Sequence, residues 1–183
     1  MSFRRNLKTC LSNKRFLRND KWHALAKTNQ IINMKTVIQR VSQASVTIDG
    51  IKVADIQKGL LVLVGFEDAD TKDDLDWMTS KIANLRIFDD ENHVMNLSLK
   101  DVDGDMIIVS QFTLQASTKK GNRPSYLKAA KPEIAVPLYE AFIQKMETEI
   151  GKKVQTGQFG ADMKVALVND GPVTIVIDSK NKE

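Results

Sequence analysis

The chain has 183 residues, a length that suggests one domain. At 42% hydrophobic and 27% charged, with a net charge of +4, it has the balance of an ordinary globular protein. Its longest apolar run, Leu60 to Phe66, falls far short of the roughly 20 residues a membrane helix needs. A single cysteine, Cys10, excludes an internal disulfide framework or a cysteine-based zinc site and fits a reducing compartment.

The charge is unevenly spread. Residues 1–33 hold eight basic residues and one acid, Asp20, so residues 34–183 hold 19 basic against 22 acidic residues and are mildly acidic. The extension lacks the apolar core of a secretory signal. Arg-rich and acid-poor, it has the composition of an organelle transit peptide. The simpler expectation is that translation starts at Met34 and that residues 1–33 are a disordered tail or a mis-assigned upstream stretch. The domain is therefore expected to span residues 34–183.

From Met34 the pattern sharpens. "KTVIQRVSQASVTIDG" alternates apolar and polar residues, the period of a half-buried strand. "IDGIK" carries an Asp-Gly hairpin signal. "GLLVLVGF" is continuously apolar and predicts a strand buried on both faces. Leu75, Met78, Ile82 and Leu85 then recur at helical spacing, with Asp70 or Thr71 as the cap and Asp73 and Asp74 in the first turn. "DDENH" reads as a turn, "DMIIVSQFTLQ" as a strand and "STKKGNRPS" as a loop. The longest helix is predicted over "PEIAVPLYEAFIQKMETEIG", with Pro132 in its first turn and Gly151 at its end. Ala135, Leu138, Phe142, Met146 and Ile150 form its apolar stripe. Strands "KVQTG", "KVALV" and "VTIVID" follow, the last two separated by "NDGP". These elements predict an α/β domain with a curved, barrel-like sheet and two main helices packed outside it.

What is missing narrows the chemistry. Residues 34–183 contain no cysteine and one histidine, His93, which sits in a polar turn. Cysteine nucleophiles and multi-histidine metal sites are excluded there, and neither common phosphate-loop pattern occurs. Hydroxyls, amides and backbone remain. Ser110, Gln111 and Thr113 end an apolar strand, a pattern that an edge strand with polar outward positions also explains. Lys119, Lys120 and Arg123 lie on the following loop, and no acid intervenes from Ser117 to Pro132. That loop is the one plausible phosphate-binding stretch, although a charge run by itself more often marks a solvated loop.

Together, "MKTVIQRVSQASVTIDG", "GLLVLVGFEDADT", "MNLSL", "SQFTLQ", "KKGNRPSY" and "FGADMKVALVNDGPVTI" resemble the D-aminoacyl-tRNA deacylase (D-tyrosyl-tRNA deacylase) family over nearly all of residues 34–178. The resemblance implies a cytoplasmic homodimer of barrel-like subunits, or an organellar one if residues 1–33 are a transit peptide. It implies hydrolysis of the ester joining a D-amino acid to tRNA, and no cofactor and no metal ligand are expected among the site residues. It places Ser110, Gln111, Phe112 and Thr113 at the catalytic site. Gly171 and Pro172, joined by a cis bond, are implied to reach into the partner's pocket beside Ser110 to Thr113, with Asn169 and Met163 also assigned to the substrate. Lys119, Lys120 and Arg123 are assigned to the tRNA.

Such an enzyme reads the handedness of Cα and not the side chain. Rigid backbone at Gly171-Pro172 would fill the space an L side chain needs, and glycine, with nothing to clash, would leak through. Backbone N–H groups near Phe112 and Thr113 would stabilise the oxyanion, with water as nucleophile. Two other readings compete. One is a nucleic-acid-binding protein without hydrolysis, since family members in animals have been linked to DNA. The other is a related deacylase for misplaced L-alanine, whose motifs differ from those here.

Overall fold

The structure, a computed structural model, describes residues 34–182. The expectations for residues 1–33 lie outside the described residues. Strand β1 (Lys35–Ile48) turns through Asp49 and Gly50 into β2 (Ile51–Ile56), and β3 (Gly59–Gly65) follows. Both turn residues have positive φ, 49° and 78°, as a two-residue hairpin requires. Helix α1 (Lys72–Ala83) leads to a small hairpin, β4 (Phe88–Asp89) and β5 (Met95–Leu97). Strand β6 (Asp105–Ser110) runs into a 3₁₀ turn, Phe112–Gln115. Helix α2 (Pro132–Ile150), a short β7 (Gln155–Thr156) and the long β8 (Met163–Asp178) complete the order.

β1 is the hub of the sheet. It pairs antiparallel with β3 through its first half, with β2 through its second, and with β8 along its length. β3 and β6 run parallel, starting from Gly59 opposite Asp105. A Cβ at Gly59 would collide with the Asp105 backbone, so only glycine allows this approach. Gln155 on β7 draws the far end of the sheet back to β2. Its Nε2 donates to Asp55 O (2.7 Å) and its Oε1 accepts from Asp55 N–H (2.6 Å). The side-chain amide imitates one rung of a ladder, and the sheet becomes a nearly closed barrel.

Two cores result. Val41, Ala44, Val46, Leu61, Ile107 and Val109 pack inside the barrel. Ile38, Leu60, Val62 and Val64 face outward and are covered by Leu75, Met78 and Ile82 of α1 and Phe142 and Met146 of α2. β3 contributes to both, which accounts for its unbroken apolar sequence. Thr71 caps α1 in a reciprocal capping box with Asp74, and Gly151 ends α2 with φ 75°.

Two expectations change. "DMIIVSQFTLQ" is a strand only to Ser110, because Phe112–Gln115 coils into the 3₁₀ turn. "KVALV" and "VTIVID" are one strand, because the chain bulges at Gly171-Pro172 and then rejoins β1.

Candidate active site

The bulge in β8 is a built feature. β1 and β8 pair as Gln39↔Thr174 and then as Val41↔Asn169, which leaves Asp170 to Val173 looped out opposite Arg40. The Gly171–Pro172 bond is cis, and Gly171 has φ 132°. A Cβ on Gly171 would stand 2.7 Å from Val173 Cγ2 and 3.1 Å from Arg40 Nη2. Asn169 closes the loop, accepting from Val173 N–H at Oδ1 (2.9 Å) and donating through Nδ2 to Thr174 Oγ1 (2.9 Å). Asn169 thus holds the turn from behind, while Gly171 and Pro172 are exposed.

Arg40 locks this turn to the body. Only 6% exposed, it donates from Nε to Asp170 O (2.9 Å) and from Nη1 to Ile87 O (2.7 Å) and Asp89 Oδ1 (3.3 Å). One planar guanidinium ties β1, the β8 bulge and the start of the β4–β5 hairpin together. Sequence reasoning missed Arg40. A signal existed, since it falls on the same buried phase as Thr36 and Ile38.

The second group of residues sits at the end of β6. Ser110 pairs with Val64, and Gln111 N–H donates to Val64 O (2.7 Å). Gly65 permits this tuck, since a Cβ there would lie 2.7 Å from Gln111 O. Gln115 pins the turn from below, donating to Gly65 O (2.9 Å). Tyr139 of α2 donates to Ile108 O (2.8 Å), and burial pushes its phenol up to about 12. Thr113 Oγ1 accepts from Gln111 Nε2 (2.6 Å). The first bond of the 3₁₀ turn is Leu114 N–H to Gln111 O, so the N–H groups of Phe112 and Thr113 precede it and stay available. Phe112, 55% exposed, packs edge-on against Tyr126 with ring centroids 5.2 Å apart. The arrangement offers two free donors beside an exposed aromatic wall.

Lys119, Lys120 and Arg123 are exposed on a loop that Ser117 and Ser125 close with two backbone bonds of 2.8 and 2.9 Å. His93 is exposed in its turn. Among the described residues, no group of three or more His, Cys, Asp or Glu is placed to hold a metal ion.

One chain does not bring all of these together. Ile177, Thr36, Val64 and Ser110 lie in one row across β8, β1, β3 and β6, roughly 14 Å at the usual strand spacing. The bulge that carries Gly171 faces Arg40, four residues along β1 from Thr36, roughly 13 Å. Met163 pairs with Ile48 at the other end of β8, away from the turn, but its sulfur lies against Gly157, whose N–H donates to Ile108 O of β6 (3.3 Å), so the barrel's curl brings it toward the Ser110 end.

Comparison with known proteins agrees with this architecture. Residues 37–178 match the family described as D-Tyr-tRNA(Tyr) deacylase. The D-aminoacyl-tRNA deacylase of Flavobacterium psychrophilum is 73% identical over 150 residues, which are 82% of this chain and 100% of that protein. That of Bacteroides fragilis strain YCH46 is 64% identical over the same shares. A solved structure named c-Myc DNA Unwinding Element Binding Protein superposes with a TM-score of 0.74 at 40% identity, over 78% of this chain and 97% of that one. A second, described as a probable eukaryotic D-amino acid tRNA deacylase, gives 0.69 at 18% identity, over 80% of this chain and 99% of that one, and bears on the fold alone.

Proposed function

The chain belongs to the D-Tyr-tRNA(Tyr) deacylase family, and we propose that it hydrolyses the ester of D-aminoacyl-tRNA, releasing the D-amino acid and leaving L-aminoacyl-tRNA intact. The observation that carries this reading is the exposed Asp170-Gly171-Pro172 turn, which presents backbone and is held rigid by Arg40 and Asn169. A rigid backbone surface can test the handedness of Cα without reading a side chain. Carbonyls of the turn accept from the substrate's α-ammonium group, and an L side chain meets backbone that does not move. Glycine has no such group to reject, so glycyl-tRNA is also cleaved.

For the chemical step, the N–H groups of Phe112 and Thr113 receive the charge that develops on the ester oxygen. Phe112 forms a wall for the terminal adenine, and Ser110 and Gln111 position the ester. Thr113 Oγ1 accepts from the Gln111 amide, which does not activate it as a nucleophile. Water attacks instead, assisted by the neighbouring ribose hydroxyl. Lys119, Lys120 and Arg123 hold the tRNA acceptor end. The two site groups lie far apart along one chain, so the turn of one subunit serves the pocket of a second copy in a homodimer.

The test is deacylation of D-tyrosyl-, L-tyrosyl- and glycyl-tRNA. Loss of the D form, some loss of glycine and persistence of the L form are expected. Equal loss of D and L would mean an esterase without chiral discrimination. A second reading, nucleic-acid binding without hydrolysis, draws on the name of the 40% identical structure. It would gain if no ester were cleaved and the protein still bound nucleic acid.

A further inference from the structure

The backbone nitrogen of Met34 lies in a pocket with more acceptors than an amide can serve. Met34 is fully buried, and its N–H donates to Ser179 Oγ at 3.1 Å. Ser179, also fully buried, returns a bond from its own N–H to Met34 O at 2.9 Å. Beside them, on the turn that leads into α1, stands Asp70. Its Oδ2 accepts from Glu67 N–H at 2.8 Å. Its Oδ1 is sealed from solvent and has no hydrogen-bond partner. The Met34 N–H is close enough to lower the Asp70 pKa, but its one proton is committed to Ser179.

The charges around Asp70 make this costly. Desolvation raises its carboxyl to about 6, and Asp74 and the buried Glu67 push in the same direction. Lys180, packed at this end of α1, is held by Asp74 at 2.6 and 2.7 Å, and Lys72, the first residue of α1, is exposed. Among the described residues, Asp70 therefore brings an acceptor without a donor, and a carboxylate without a paired cation, to one backbone nitrogen.

We propose that this pocket is built to hold the free α-ammonium group of a chain whose first residue is Met34. An ammonium carries three N–H donors. One serves Ser179 Oγ, a second serves Asp70 Oδ1, and the positive charge turns an uncompensated carboxylate into an ion pair. A peptide bond to residue 33 removes both the charge and the extra donors.

The core lies within residues 34–182, and relatives of that length are whole proteins, so this part folds alone. The experiment compares chain 34–183 bearing a free amine with the same chain acetylated at Met34. At pH 7 the free-amine chain should melt higher, by at least roughly 2 °C. Asp70→Asn, nearly isosteric, should lower the free-amine chain toward the acetylated one and leave the latter little changed. The pH dependence adds a sign. With the amine blocked, Asp70 has a folded pKa near 6, above its unfolded value, so stability falls as pH rises from about 4 to about 6. With the amine free, that fall should vanish. Equal midpoints, or an Asp70→Asn effect of the same size in both chains, would overturn the proposal. None of these readings depends on deacylase activity.

Discussion

Arg40 and Thr113 separate two ways in which a residue can matter to this site. Arg40 is buried and faces the rear of the turn, yet two backbone carbonyls and a carboxylate from two other segments converge on it. Replacing it with alanine leaves the carbonyls of Asp170 and Ile87 without their donor, a loss of about 2–4 kcal/mol in stability. The larger consequence is placement, since a shift of about 1 Å in a positioning group can cost about 100-fold in rate. Arg40→Ala should therefore lower kcat/KM for D-tyrosyl-tRNA by roughly 10- to 100-fold and raise the relative rate on the L form. Arg40→Lys should rescue little, because a lysine lacks the fork that reaches several acceptors at once. Thr113→Ala should retain most activity if backbone N–H groups carry the oxyanion. Deacylation kinetics on both diastereomers decide the matter, and an inactive Thr113→Ala that still binds tRNA would return the hydroxyl to the mechanism.

Most single elements were legible in the sequence. The α1 cap, narrowed to Asp70 or Thr71 and found at Thr71, the Asp-Gly hairpin, the glycine end of α2 and the double-sided burial of β3 each follow from local chemistry that short-range pattern reports. The misreadings occurred where tertiary pairing overrides local preference. Gly171-Pro172 reads as a strand break, but β1 continues on both sides and recaptures the chain, so the break becomes a bulge. "FTLQ" reads as strand, but Gly65 and Gln115 fold it back over β3. Tyr139 does not belong to the predicted stripe of α2, yet its ring packs in the core, where Ile108 O accepts from its hydroxyl. The 110–113 and 169–172 stretches were singled out by resemblance, whereas Arg40 needed the sheet to show what it holds. The 117–125 loop also belongs at this scale. Its lysines are exposed and the two serine rungs hold its ends together, so losing charge should not unfold it. Lys119→Ala with Lys120→Ala should weaken tRNA binding and reduce the log–log salt slope by about 1–2. A slope unchanged from the parent would remove this loop from the tRNA path.

At the scale of the molecule, the separation of the two site groups dictates the last prediction. Ser110 to Thr113 and Gly171-Pro172 sit at opposite ends of a diagonal across four strands. Side chains of this size cannot close such a gap, and both groups are borne on paired strands that leave little freedom to bend. Among the described residues β8 pairs only with β1, so no described strand lies on the other side of the edge that carries the turn. A second copy placed there would bring the turn of each subunit to the pocket of the other, and two-fold symmetry would build both sites at once. Complementation tests this directly. Gly171→Val damages the turn, because any Cβ there meets Val173 and Arg40, and Gln111→Ala damages the pocket. Each variant alone should be nearly inactive. Co-expressed, half of the dimers are mixed, and each mixed dimer pairs one intact turn with one intact pocket. Activity should recover to about one quarter of the parent per site. If mixing restores nothing while the mixed dimers are demonstrably present, the turn and the pocket must act within a single chain, and the row of strands between them would have to be crossed by the substrate itself.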